Sequence, residues 1–152
     1  MNPSPWLVRH VRRLRASYQR LTGSHLIDPA LDDEVAVEAL EAAPFALLSH
    51  GTESDPLFNY GNRSARALFE LSWEELTCMP SRLSAEPLLR EERERLLARV
   101  AQHGYIADYS GVRISRTGKR FRISHATVWN LQDEDGAPCG QAALLPEWQP
   151  LA

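Results

Sequence analysis

No apolar run in this chain approaches the ~20 residues that a helix needs to cross a bilayer, so membrane insertion is not expected. The first twenty residues interleave arginines with their apolar positions, which is not how a secretory signal is built. Cysteine is scarce: Cys78 and Cys139 lie in segments of different kinds and are too few for a disulfide framework. Two free thiols in a reducing cytoplasm are the expectation. No His, Cys, Asp or Glu spacing suggests zinc, and there is no internal repeat or low-complexity stretch. Charge of one sign is missing locally. Residues 1–24 hold five arginines and no acid, whereas residues 25–55 hold eight acids and no base.

With 152 residues, 43% hydrophobic, the chain suffices for one globular domain with an extension and a core that needs no staples. The basic arm could bind nucleic-acid phosphates. The net charge of −3 favours the other reading, in which basic and acidic segments face each other within the chain or across a dimer, and nucleic acid is not expected as a partner.

Trp6, Leu7, Val11, Leu14, Tyr18 and Leu21 recur at helical steps, with Pro5 in the first turn and Gly23 as the stop. Asp32 or Asp33 caps a second helix that runs to about Ala43, before Pro44. From Phe45 the pattern changes to strand length, Phe45 to His50, and a turn at Thr52–Asp55 leads to a second strand at Leu57–Tyr60. Helical pieces follow at Asn62–Phe69 and Ser72–Thr77, the latter opened by a Ser72/Glu75 capping box. A longer helix spans Leu88–His103, with Leu89, Leu96, Leu97 and Val100 as its stripe. Three strands close the chain, at about 105–115, 119–131 and 139–145. On the middle strand, alternation puts Phe121, Ile123, His125, Thr127 and Trp129 on one face, and Arg122, Ser124, Ala126, Val128 and Asn130 on the other. The fold class is α+β: a five-stranded antiparallel sheet with helices on one face, plus N-terminal amphipathic helices.

Several ordered phrases then carry a family resemblance: Ala43-Pro44-Phe45, Ser49-His50-Gly51, Asp55-Pro56-Leu57-Phe58-Asn59-Tyr60-Gly61-Asn62, Pro80-Ser81-Arg82, Tyr109-Ser110-Gly111-Val112-Arg113, Val128-Trp129-Asn130-Leu131 and Gly140-Gln141-Ala142-Ala143. The chain resembles the PAS superfamily and, within it, MEKHLA-domain proteins. The resemblance implies a PAS-like domain at 44–149, preceded by a helical extension at 1–43. It implies regulation or sensing without a defined ligand. Against flavin-binding light-oxygen-voltage domains, the reactive-cysteine position is taken by Ser81, the flavin glutamine by Gln141 and one flavin asparagine by Arg113. The other asparagine falls on Ile123 or Ser124. A flavin photoadduct is not expected, haem fits poorly, and no cofactor is assigned.

A polar set remains that could converge between sheet and helices. Strand alternation brings Tyr109, Gly111 and Arg113 to one side, Ser124, Ala126 and Val128 to that side from the middle strand, and Cys139, Gln141 and Ala143 from the last. A buried arginine is costly unless it meets an anion. Tyr109, Arg113, Ser124, Gln141 and Arg82 are therefore the expected ligand-binding residues, for a small polar or carboxylate metabolite. The alternative pairs Arg113 with Asp108, Glu86 or an acid of the 28–41 segment. Asn62 and Trp129 are assigned structural roles, Asn62 as a helix cap and Trp129 as part of an apolar face shared with Phe121. The N-terminal helix covers that face, on its own sheet or on a partner's, and a homodimer is expected.

The function expected is a non-catalytic sensory module that binds a small molecule or a protein partner. A pure interaction module with a filled pocket is the main rival, and an enzyme using Cys78, or His125 with Asp108, the remaining one.

Overall fold

The computed structural model describes residues 3–151. Helix α1 (Pro5–Thr22) opens with the Ser4 hydroxyl accepting from the Leu7 amide at 3.2 Å, has Pro5 where no amide donor is needed, and stops at Gly23 in the left-handed conformation. Helix α2 (Asp33–Glu41) is capped by Asp32, whose carboxylate accepts from the Val35 amide. Strands β1 (Ala46–His50) and β2 (Phe58–Gly61) form the hairpin. Short helices α3 (Arg63–Phe69) and α4 (Trp73–Leu76) follow, and α4 carries the full capping box between Ser72 and Glu75. Helix α5 (Arg90–His103) leads into the meander of β3 (Tyr105–Ile114), β4 (Arg120–Gln132) and β5 (Pro138–Leu145).

The antiparallel sheet runs β2-β1-β5-β4-β3. A sixth short strand, β6 (Glu147–Pro150), adds to the five expected: after Pro146 it continues along the edge of β4, pairing Ser124 with Glu147 and Phe121 with Pro150.

Each sheet face has its own core. On the outer face α1 and α2 pack over Leu47, Tyr60, Trp129, Leu131 and Ala142, with Val11, Leu14 and Leu40 fully buried. The Tyr18 ring meets that of Trp129 edge-on at 4.9 Å. The amphipathic helix thus lies on its own sheet. Its arginines reach the acidic segments, Arg12 and Arg15 converging on Asp33 and Arg13 taking Glu134. On the inner face, helices α3–α5 close over Leu48, Phe58, Phe121, Ile123, Ala126, Val128 and Leu145.

Phe121 and Ile123 therefore share a face with Ala126 and Val128, contrary to the expected alternation. The reason is a bulge. Tyr109 pairs with Ala126 and Gly111 with Ile123, so three steps on β4 face two on β3. The extra residue, His125, sits at a φ of 57° and reverses the side-chain sense of everything before it. A second bulge compensates on β3, where Ile106 pairs with Val128 and Tyr109 with Ala126, and Asp108 also has a φ of 57°. The two bulged residues hold each other, His125 Nδ1 lying 2.6 Å from Asp108 Oδ1.

Candidate functional site

Asn62 joins three elements. Its Oδ1 accepts from the amides of Ala65 and Leu47, capping α3 and fixing β1, and its Nδ2 donates to the carbonyls of Leu40 and Phe45. It is fully buried with both donor hydrogens used.

Between the inner sheet face and α5 lies a cavity of about 60 Å³. Leu48, Phe58, Phe69, Leu96, Leu97, Ile123, Val128 and Leu145 make most of its wall, and His50, Arg93, Tyr109, Arg113 and Gln141 bring polar atoms. Arg113 is buried, donates to the Val112 carbonyl at 2.8 Å, and has its guanidinium 5.7 Å from the centre of the Tyr109 ring. No carboxylate pairs with it among the described residues. Several of the acids considered for it pair elsewhere, Asp108 with His125, Glu86 with Arg120, Asp33 with Arg12 and Arg15, and Glu41 with Arg66. Gly111 shapes this wall, because a Cβ there would lie 2.5 Å from the Tyr109 hydroxyl oxygen. Only glycine lets that ring cross its own strand. Gln141 donates to the Leu97 carbonyl and to Asn130 Oδ1, both at 3.1 Å, tying β5 to α5.

Two expected ligand residues fall elsewhere. Ser124 lies in a shallow surface groove with His125, Pro146 and Glu147, because the bulge at His125 gives its inward place to Ile123. Arg82 is exposed and pairs with Asp55 at 3.1 Å. Cys139 also departs from Gln141: an irregularity near Gly140 turns it to the α1 side, where burial raises its thiol pKa. Ser81 is buried, and Cys78 is exposed away from the cavity wall.

Two residues of the site escaped sequence reasoning. Arg93 occupies a core position of α5 in register with Leu96 and Val100, and an arginine on an apolar stripe was the available signal. Burial, and then the charge of Arg113, push its guanidinium down to about 10. His50 ends β1 with Nδ1 2.9 Å from the Gly51 carbonyl oxygen, and burial lowers its pKa. Its Nε2 and the Tyr109 hydroxyl are buried without a partner among the described residues. His50, Arg93, Leu97 and Gln141 also line an outer groove beside the β1–β2 loop, so they form the wall between cavity and surface.

The MEKHLA-domain family model matches residues 8–150, nearly the whole chain. The chain belongs to the MEKHLA family. Among solved structures, it is similar to a PAS domain from Colwellia psychrerythraea, with a TM-score of 0.62 at 13% identity over 77% of this chain and 94% of that one. A light-oxygen-voltage domain studied with a flavin analogue gives 0.60 at 13%, over 78% and 85%. The PAS domain of a LuxR-family transcriptional regulator from Burkholderia thailandensis, solved in complex with ethanol, gives 0.55 at 21%, over 75% and 95%. No curated protein matches in sequence. At these identities the likeness shows the fold: the MEKHLA chain has the PAS architecture, and the family match takes in all but the first three residues of α1. No helix of the described residues is long and apolar enough to cross a membrane.

Proposed function

We infer that this MEKHLA domain is a non-catalytic sensory or regulatory module whose interior cavity holds a small polar ligand. One observation carries the reading: polar groups that the protein leaves incomplete line one interior space, namely His50 Nε2 and the Tyr109 hydroxyl, which have no hydrogen-bond partner, and the guanidiniums of Arg93 and Arg113, which have no carboxylate among the described residues. A buried polar group left unpaired costs about 1–3 kcal/mol, so retaining several around one cavity fits a site completed by a ligand. The PAS neighbour solved with ethanol supports a small occupant for this architecture. The residues considered for catalysis stand outside the cavity wall: Cys78 is exposed, and His125 and Asp108 are exposed at their bulges. On this reading occupancy is passed to a protein partner, a second copy of the chain included.

Native and denatured mass spectra of the protein purified without additives, with its visible spectrum, test this. A small mass that departs on denaturation is the expected result. An empty protein whose melting temperature ignores every small polar compound tried would instead assign the fold to protein–protein contact alone.

A further inference from the structure

The cavity wall narrows the class of ligand that this sensory reading requires. Arg93 and Arg113 are 7% and 8% exposed, and the described residues give neither a carboxylate. Two buried cations beside one space repel each other, and an anion between them relieves both. His50 adds the opposite requirement. Its Nδ1 faces the Gly51 carbonyl oxygen, which only accepts, so Nδ1 carries the proton and Nε2 is a bare acceptor. That buried acceptor needs a donor from the ligand. The remaining wall is hydrocarbon, so an inorganic oxyanion, which needs donors on every side, would meet Leu48, Phe58 and Ile123. A volume of about 60 Å³ has room for only a few waters, so the ligand is small and short-chained.

We propose that the cavity binds a short 2-hydroxycarboxylate of two or three carbons, its carboxylate between Arg93 and Arg113 and its hydroxyl donating to His50 Nε2. The Tyr109 hydroxyl serves the carboxylate from the side, and the carbon chain lies against the apolar wall. Entry is from the outer groove, past Arg93 and Gln141.

Calorimetry and thermal melts at constant ionic strength test this with glycolate, lactate, acetate, ethanol and phosphate. Glycolate or lactate raises the melting midpoint saturably. Acetate, which lacks the hydroxyl, binds about tenfold more weakly, and ethanol has no effect. Arg113→Met and Arg93→Met abolish the response. Should those variants not fold, Tyr109→Phe, which removes one oxygen, weakens binding about three- to tenfold. Ala143→Leu, which fills the cavity and leaves both arginines, abolishes binding. The proposal is overturned if neither hydroxy acid acts on the wild type, if acetate or phosphate binds as well as they do, or if the response survives Ala143→Leu. An ethanol response that Ala143→Leu removes, without any carboxylate response, ends the hydroxy-acid assignment and keeps the small-ligand reading. Silence from all five compounds together with no co-purifying mass ends both.

Discussion

Asn62 shows how much one side chain can hold when all its hydrogen-bonding capacity is used. Its amide joins the end of α2, strand β1 and the start of α3 inside the core, where water cannot substitute. Asn62→Ala leaves the amides of Leu47 and Ala65 without that acceptor, and a loss of about 2–4 kcal/mol is expected in urea unfolding. His10 is the corresponding residue on the outer face. Its Nε2 is 2.8 Å from the Ser49 hydroxyl, which donates to Asn59, and its ring stacks on Trp6 at 4.7 Å. Burial first, and Arg13 second, push its pKa down to about 4 from an ordinary 6.5. Between these values the unfolded chain binds a proton that the folded chain refuses. Stability is therefore present above pH 6.5 and falls by about 3 kcal/mol as pH drops toward 4. Burial gives His50 the same sign. Melting midpoints should fall through this window in the wild type and fall less in His10→Gln.

Strand β4 depends on one extra residue. Deleting His125 would restore plain alternation and send Phe121 and Ile123 to the wrong face. Loss of cooperative folding by circular dichroism is the expected outcome. His125→Gly keeps the bulge and accepts the positive φ more readily, so thermal unfolding should place it within about 1 kcal/mol of the wild type. The exposed His125–Asp108 ion pair adds little in water. Glycine makes a second close approach possible at Gly140, where a Cβ would run into the His50 carbonyl oxygen. That contact sets the end of β1, and with it the position of His50 at the cavity. Glu70, in the left-handed C-cap of α3, receives the hydroxyls of Ser115 and Thr117 and the ammonium of Lys119. These bonds hold its pKa down to about 2 and join the helix to the β3–β4 turn.

One sheet separates two different environments. The outer core is apolar packing under α1 and α2 with a buried His10–Ser49 hydrogen bond, while the inner core keeps a cavity with buried charge at its edge. Leu14 stands at the centre of the first, and Leu14→Ala should cost about 2–5 kcal/mol in denaturant unfolding, because the helix cannot collapse onto the rigid sheet. Trp129 is fully buried there, with its indole N–H unpartnered among the described residues, so its role is volume and ring contact. The ion pairs of α1 with Asp33 and Glu134 lie near the surface and orient the helix more than they stabilise it.

The order of elements, the caps at Ser72 and Asn62, the stop at Gly23 and the cover of the sheet by α1 were legible in residue order, because each rests on local backbone chemistry or helical period. The facing of Phe121, Ile123 and Ser124 was not: a histidine at positive φ has no local signature and persists because Asp108 bulges opposite it. Arg113 and Gln141 were legible as cavity residues from strand alternation on their own sides of those irregularities. Arg93 and His50 joined them only through packing, since burial without a partner is a property of the assembled core. Local sequence chose the helices, strands and caps, and tertiary contact chose which side chains share the cavity, because one inserted residue in a strand reverses every face that precedes it.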